Sequence, residues 1–226
     1  MEPAKQVPPP PKQAPPPSRM TLASLVRGKQ QHPVRVLLFG QEGVGKSTFG
    51  AGAPGAIFLG AEEGTSQLDV TRFPQPETWR DALDAVAILT NEKHDFKTLV
   101  IDTLDWLEPM LWEHICLRDK QTSIEAYGYG KGFQVALDEW RVLLSSLERL
   151  RKVKPMHVVM LAHSWIKPYK NPTGDDYDRF ELKINNKAAG LLKEWNDAVL
   201  FATYETFAVK DDRKRVRGVD NNGARI

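Results

Sequence analysis

The chain holds a single cysteine, Cys116, among 226 residues. That excludes an internal disulfide and the usual zinc frameworks, and it fits a reducing compartment. An excess of charge of one sign is also lacking: 31 Lys and Arg against 29 Asp and Glu leave a net charge of +2. A blanket polycation is thereby excluded, and any nucleic-acid contact must come from local basic loops. No apolar run reaches the length of a membrane span, and the N-terminus lacks the apolar centre of a secretory signal. The expectation is a soluble, cytoplasmic protein with no membrane partner.

Proline is concentrated at one end, where residues 1–18 hold eight of the 16. A segment so poor in backbone donors cannot build a core, so an extended, mobile tail is predicted there, as a solvated leader or a partner-binding arm. Residues 19–32 read as a linker, with Leu22, Leu25 and Val26 spaced for a short helix. From residue 33 to 226 the length suits one α/β domain. Buried-looking strands are predicted at 34–39, 56–60, 97–102, 156–162 and 197–203. They alternate with helices at 46–52, 76–91, 104–118, 132–152 and 187–195, the pattern of a mostly parallel sheet covered on both faces. The clearest helix is 132–152, where Phe133, Ala136, Trp140, Leu143, Leu144 and Leu147 form one apolar stripe. Beyond residue 204 the pattern turns to antiparallel strands, with turn-like residues at 210–213 and 220–223.

One segment carries most of the chemistry. Gly40, Gln41, Glu42, Gly43, Val44, Gly45, Lys46 and Ser47 match G-x-x-x-x-G-K-[ST] at every fixed position. A chance match in a chain this long has a probability on the order of one percent. The apolar run Val34–Phe39 precedes it and a helix can start after it, which is the context the motif needs. Glycines let such a loop wrap a triphosphate with backbone N–H groups pointing inward. Lys46 reaches the outer phosphates, Ser47 can ligate Mg²⁺, and Thr48 completes the nucleotide-binding set. The bland alternative is a glycine-rich turn between strand and helix.

Other strand ends add carboxylates. Thr98–Asp102 is an apolar strand closing on an acid, which can hold water on Mg²⁺ beside Ser47. Helix capping is the competing role for Asp102. Ile57–Gly60 runs into Glu62 and Glu63, either of which could orient or deprotonate the attacking water, or form only a surface acidic pair. His163, at the end of the fourth strand, could sense the γ-phosphate or be a satisfied strand-end histidine. His114 and Cys116 point to different helix faces and are no metal pair. Two loops mix aromatics with cations as single-stranded nucleic acid requires. One contains Tyr127, Tyr129 and Lys131. The other, Trp165 to Lys187, contains Trp165, Lys167, Lys170, Arg179, Lys183 and Lys187. A polar lid over the nucleotide is the alternative for the second.

Taken together, Gly40–Ser47, Ala61–Gly64, Val100–Leu107, Tyr127–Gly132, Leu161–His163 and Lys187–Trp195 make the chain resemble the RecA-like ATPases. It is most similar to short AAA-type ATP-binding proteins of bacteriophages that act in recombination and single-strand annealing. The resemblance implies ATP and Mg²⁺ as ligands, Glu62 rather than Glu63 as catalytic glutamate, and DNA contact by the two loops. It also implies a homo-oligomer, ring or filament, with nucleotide between subunits and a cation such as Arg215 or Arg217 supplied in trans. A solvated hairpin is the other reading of those arginines. His163 departs from the glutamine such proteins carry there. The separate DNA-binding domains of full recombinases are lacking, so annealing, with help from a single-strand-binding protein, is expected over strand exchange. Relatives of this type run on past Ile226, so a truncated last sheet edge is expected. A phage origin places the protein in a bacterial host's cytoplasm. Two other classes stay open: a P-loop small-molecule kinase, and a nucleotide-gated adaptor with little hydrolysis.

Overall fold

A computed structural model describes residues 20–60, 67–210 and 216–225. The chain divides into two compact units, residues 1–31 and 32–226. In the first, the proline-rich residues 1–18 lie outside the described part. The helix predicted within 19–32 is one 3-10 turn, Leu22–Ser24, closed by Ser24 Oγ donating to the Thr21 carbonyl at 2.7 Å. So short a run cannot repay the cost of helix nucleation.

The second unit runs β1 (Arg35–Gly40), α1 (Lys46–Ala51), β2 (Ala56–Gly60), β3 (Thr71–Arg72), α2 (Trp79–Asn91), β4 (Thr98–Asp102), α3 (Leu104–Arg118) and α4 (Lys131–Val153). It continues through β5 (His157–Tyr169), β6 (Tyr177–Leu182), α5 (Asn186–Trp195), β7 (Ala198–Ala202), β8 (Tyr204–Lys210) and β9 (Val216–Arg225). The sheet order is β3-β2-β4-β5-β1-β7, all parallel, with β6 antiparallel on β5 and β8–β9 a separate antiparallel pair. The RecA-like expectation of a mostly parallel sheet flanked by helices is met.

Strand side chains alternate between two unequal cores. Leu37, Ile57, Leu59, Leu99, Ile101, Val158 and Met160 face a large cluster built with α2 to α5, where Trp79 meets Trp140 edge-on at 5.3 Å. Leu38, Phe58, Val100, Val159 and Leu161 face the other way, with Ala51 of α1 packed on them. Each fully buried large side chain adds roughly 1.5–3 kcal/mol. The short α1 lies flat because Gly50 has no side chain: a Cβ there would stand 2.8 Å from Val100 Cγ1.

Two sequence expectations change. The 165–187 segment, read as a loop, is a β-hairpin: β5 runs on to Tyr169 and β6 returns along it. Asp220–Gly223, read as a turn, lies within β9, whose pairing shifts register between Tyr204 and Thr206. Its turn chemistry shows there as a bulge.

Candidate functional site

The loop between β1 and α1 is shaped by its glycines. Gly43 and Gly45 hold φ of 73° and 97°, a region that side chains disfavour. Gly40 is needed for a different reason: a Cβ there would sit 2.2 Å from the Ala202 carbonyl oxygen on β7. Val44 is buried and anchors the loop. Lys46 is buried as well, and its Nζ donates to the carbonyls of Gln41 at 2.9 Å and Gly40 at 3.3 Å. A cation is thereby fixed at the mouth of the loop. Gln41 accepts a bond from Thr203 Oγ1 at 3.3 Å, Ser47 is half-buried, and Glu42 and Thr48 are exposed.

Neighbouring strand ends converge on this loop. In register, Gly40 of β1 faces His163 of β5, and Asp102 of β4 faces Leu161 of β5 and Gly60 of β2. The strand carrying Asp102 is therefore one strand removed from β1, with β5 between. Asp102 is wholly buried, and neither carboxylate oxygen has a hydrogen-bond partner among the described residues. Burial pushes its pKa up; Ser47, Lys46 and His163 pull it down, and Asp105 adds to the rise. The Ser47 hydroxyl is near enough for that electrostatic pull but short of ordinary hydrogen-bond geometry. The N-cap position of α3 is taken by Thr103, without a side-chain capping bond, and not by Asp102, to which it is joined by a cis peptide bond. Two orphaned, acceptor-only oxygens beside a hydroxyl suit a hard divalent cation, so Ser47 and Asp102 fit Mg²⁺. Glu62 and Glu63, just past the end of β2, lie outside the described residues.

Two functional-looking carboxylates escaped the sequence reading, which gave no role to either. Asp105, in the first turn of α3, accepts from the backbone N–H and the Nδ1 of His163, both at 2.8 Å. Glu108, one turn on, accepts from the Asn185 backbone N–H at 2.9 and 3.1 Å, at the start of α5. Burial raises its pKa to about 7; the Asn185 bond opposes this, Asp105 reinforces it, and Lys167 opposes it. The only signal in the sequence was for Glu108, whose spacing puts it on the apolar face of α3 with Leu104, Leu107 and Leu111, while Asp105 lies off that face. An acid with a folded pKa above its unfolded value stabilises fully below the unfolded pKa and loses that contribution as pH rises through the folded one. Between about pH 4.5 and pH 7 the folded state should thus lose on the order of 3 kcal/mol through Glu108. Urea melts at pH 5 and pH 8 should show this loss, and Glu108→Gln should shrink the difference. An unchanged difference would contradict the assignment.

The aromatic and basic residues sort unevenly. Tyr127 turns inward: its hydroxyl lies 2.7 Å from an Asp119 carboxylate oxygen and 3.0 Å from the Ile115 carbonyl, which share its one proton. Tyr129, with φ of 49°, stands fully exposed, and Lys131 opens α4. On the hairpin, Lys167 lies over the Trp165 ring at 3.9 Å and Arg179 over the Tyr169 ring at 3.8 Å. Lys170 follows β5, Lys183 links β6 to α5, and Lys187 is in the first turn of α5. A cavity of about 460 Å³ separates the hairpin from the loop, lined by Gln41, Glu42, Ser164, Trp165, Phe180 and Tyr204. Arg215 lies outside the described residues, and Arg217 is placed only by its backbone, opposite Val209.

Residues 32–224 match the AAA domain family, which is nearly the whole second unit. The chain belongs to that family. No curated protein matches this AAA domain. Among solved structures it is similar to the RadB recombinase, at 12% identity over 76% of this chain and 75% of that one, with a TM-score of 0.46. No helix among the described residues is long and apolar enough to cross a membrane.

Proposed function

We propose that this AAA domain hydrolyses ATP and couples hydrolysis to single-stranded DNA, promoting annealing or homologous recombination in phage DNA metabolism. The observation that best supports this reading is the length of β5. Its inner half lies between β1 and β4 and ends at His163 beside Gly40. Its outer half is one arm of the hairpin that bears Trp165 and Lys167. A shift at the phosphate end therefore reaches the hairpin along one unbroken backbone.

The hairpin groups cations at one cross-strand position, although Asp175, Asp176, Asp178 and Glu181 together outnumber Lys167, Lys170 and Arg179 along it. Lys167 stands opposite Arg179, a like-charged cross-strand pair. Glu181 offsets part of this through Arg179 and, at 2.7 Å, Lys193. In this reading strand phosphates lie against Lys167 and Arg179, and the exposed Tyr129, Tyr177 and Trp165 offer base-stacking surface worth roughly 1–3 kcal/mol per base. In this reading Lys46 meets the outer phosphates and Glu62 orients the attacking water. Ser47, and Asp102 through water, would hold Mg²⁺, whose charge neutralises that building on the transferred phosphate. A homo-oligomer with Arg215 or Arg217 reaching across, and a single-strand-binding protein as helper, complete the proposal.

The test is the ATPase rate with and without single-stranded DNA. We expect stimulation that vanishes in Lys183→Ala plus Lys187→Ala and weakens steeply as salt rises. Steady hydrolysis indifferent to DNA would count against it and favour a small-molecule kinase with the hairpin as lid. Nucleotide binding almost without hydrolysis would favour the adaptor.

A further inference from the structure

We propose that Asp105 is a positioning residue that locks His163 in one orientation to read the third phosphate, an inference that rests on the triphosphate assignment above. Asp105 spends both oxygens on His163, one on the backbone N–H and one on Nδ1. A carboxylate can only accept, so Nδ1 carries the proton it donates. The backbone and the ring are thus fixed by the same group, and the pair is almost wholly buried. Burial alone would raise the Asp105 pKa; the bonds from His163 more than offset that, and the group stays a carboxylate. Nε2 is then the ring nitrogen without a partner among the described residues.

The place of that ring gives Nε2 its use. His163 pairs in register with Gly40, the first glycine of the phosphate loop, and lies near enough to Asp102 to lower its pKa. A phosphate oxygen accepts hydrogen bonds, so the ring serves it with Nε2–H. With Nδ1–H already given to Asp105, the Nε2 proton is one the ring takes from solvent as the triphosphate binds, and the Asp105 carboxylate faces the charge so formed. The other charged groups around this corner are Asp102, Lys46 and Glu108. A glutamine at residue 163 could offer its amide to the phosphate, but it has no second ring nitrogen for Asp105. His163 and Asp105 are therefore one unit. The His163 carbonyl accepts from Lys183 N–H at 2.9 Å, where the hairpin returns. A ring held by phosphate on one side and Asp105 on the other thus fixes the base of the hairpin as well.

The test is the ratio of ADP to ATP dissociation constants, measured with a slowly hydrolysed ATP analogue and magnesium. Asp105→Asn should cut the preference for triphosphate roughly tenfold, the scale of one charge-assisted hydrogen bond, with ADP affinity held within about twofold. His163→Ala should do the same, and the double variant should lose no more than His163→Ala alone, because Asp105 acts through the ring. Equal weakening toward both nucleotides, an unchanged ratio, or full additivity in the double variant would overturn the proposal. Should Asp105→Asn fail to fold, the ¹⁵N shifts of His163 in the unmodified protein decide. A change at Nε2 between ADP and ADP–beryllofluoride, with Nδ1 steady, supports it, and no change overturns it. A wild-type chain that binds neither nucleotide removes the triphosphate assignment too; one that binds both but ignores Asp105→Asn removes only this inference.

Discussion

Lys46→Ala is expected to lower ATP turnover by at least about a thousandfold, the scale on which charge stabilisation at a transferring phosphate operates. The fold should survive the change. Lys46 Nζ donates to the carbonyls of Gln41 and Gly40. Its removal leaves one buried and one part-buried loop carbonyl without that donor, at a cost of roughly 1–3 kcal/mol. A phosphate-release assay beside a thermal melt checks both halves. Retained turnover would remove the assignment of the loop; collapse of the melt would leave Lys46 a structural residue.

Asp102→Asn should separate stability from activity. Burial raises the Asp102 pKa, so its charged form disfavours the folded state, and that stability is lost as pH rises through the folded pKa. A neutral amide of the same shape should therefore raise the melting temperature at pH 8. It should also cut magnesium-dependent turnover about a hundredfold or more, since the acceptor for the metal's water is weakened. A lower melting temperature would mean that the carboxylate is bonded within the fold. Unchanged turnover would mean that it has no part in the chemistry.

Much of the sheet and the loop was legible because local chemistry and tertiary need agree there. Val34–Phe39 is β-branched and apolar, the glycines of Gly40–Gly45 stand where positive φ and close approach demand them, and the stripe of 132–152 faces one core. The hairpin was misread because Pro168 and the turn residues Asn171–Asp176 speak for a loop. Trp165, Lys167 and Tyr169 do alternate as a strand would, but Pro168 masked it; an edge position opposite Asp178 accommodates it. Asp105 and Glu108 were invisible for another reason. Asp105, in the first turn of α3, looks like a dipole partner, Glu108 sits a turn on, and the burial of each against β5 or α5 depends on contacts tens of residues away. Tyr127 shows the same limit, since an aromatic beside glycines promises a stacking platform until Asp119 claims its hydroxyl.

The most direct measurement is a calorimetric titration of the full chain with a slowly hydrolysed ATP analogue, run with magnesium and then with a chelator. Saturable binding near one nucleotide per chain, weakened about tenfold or more by the chelator and abolished by Lys46→Ala, is what the geometry of the loop and Asp102 predicts. Absence of binding, or binding indifferent to both magnesium and Lys46, would contradict it.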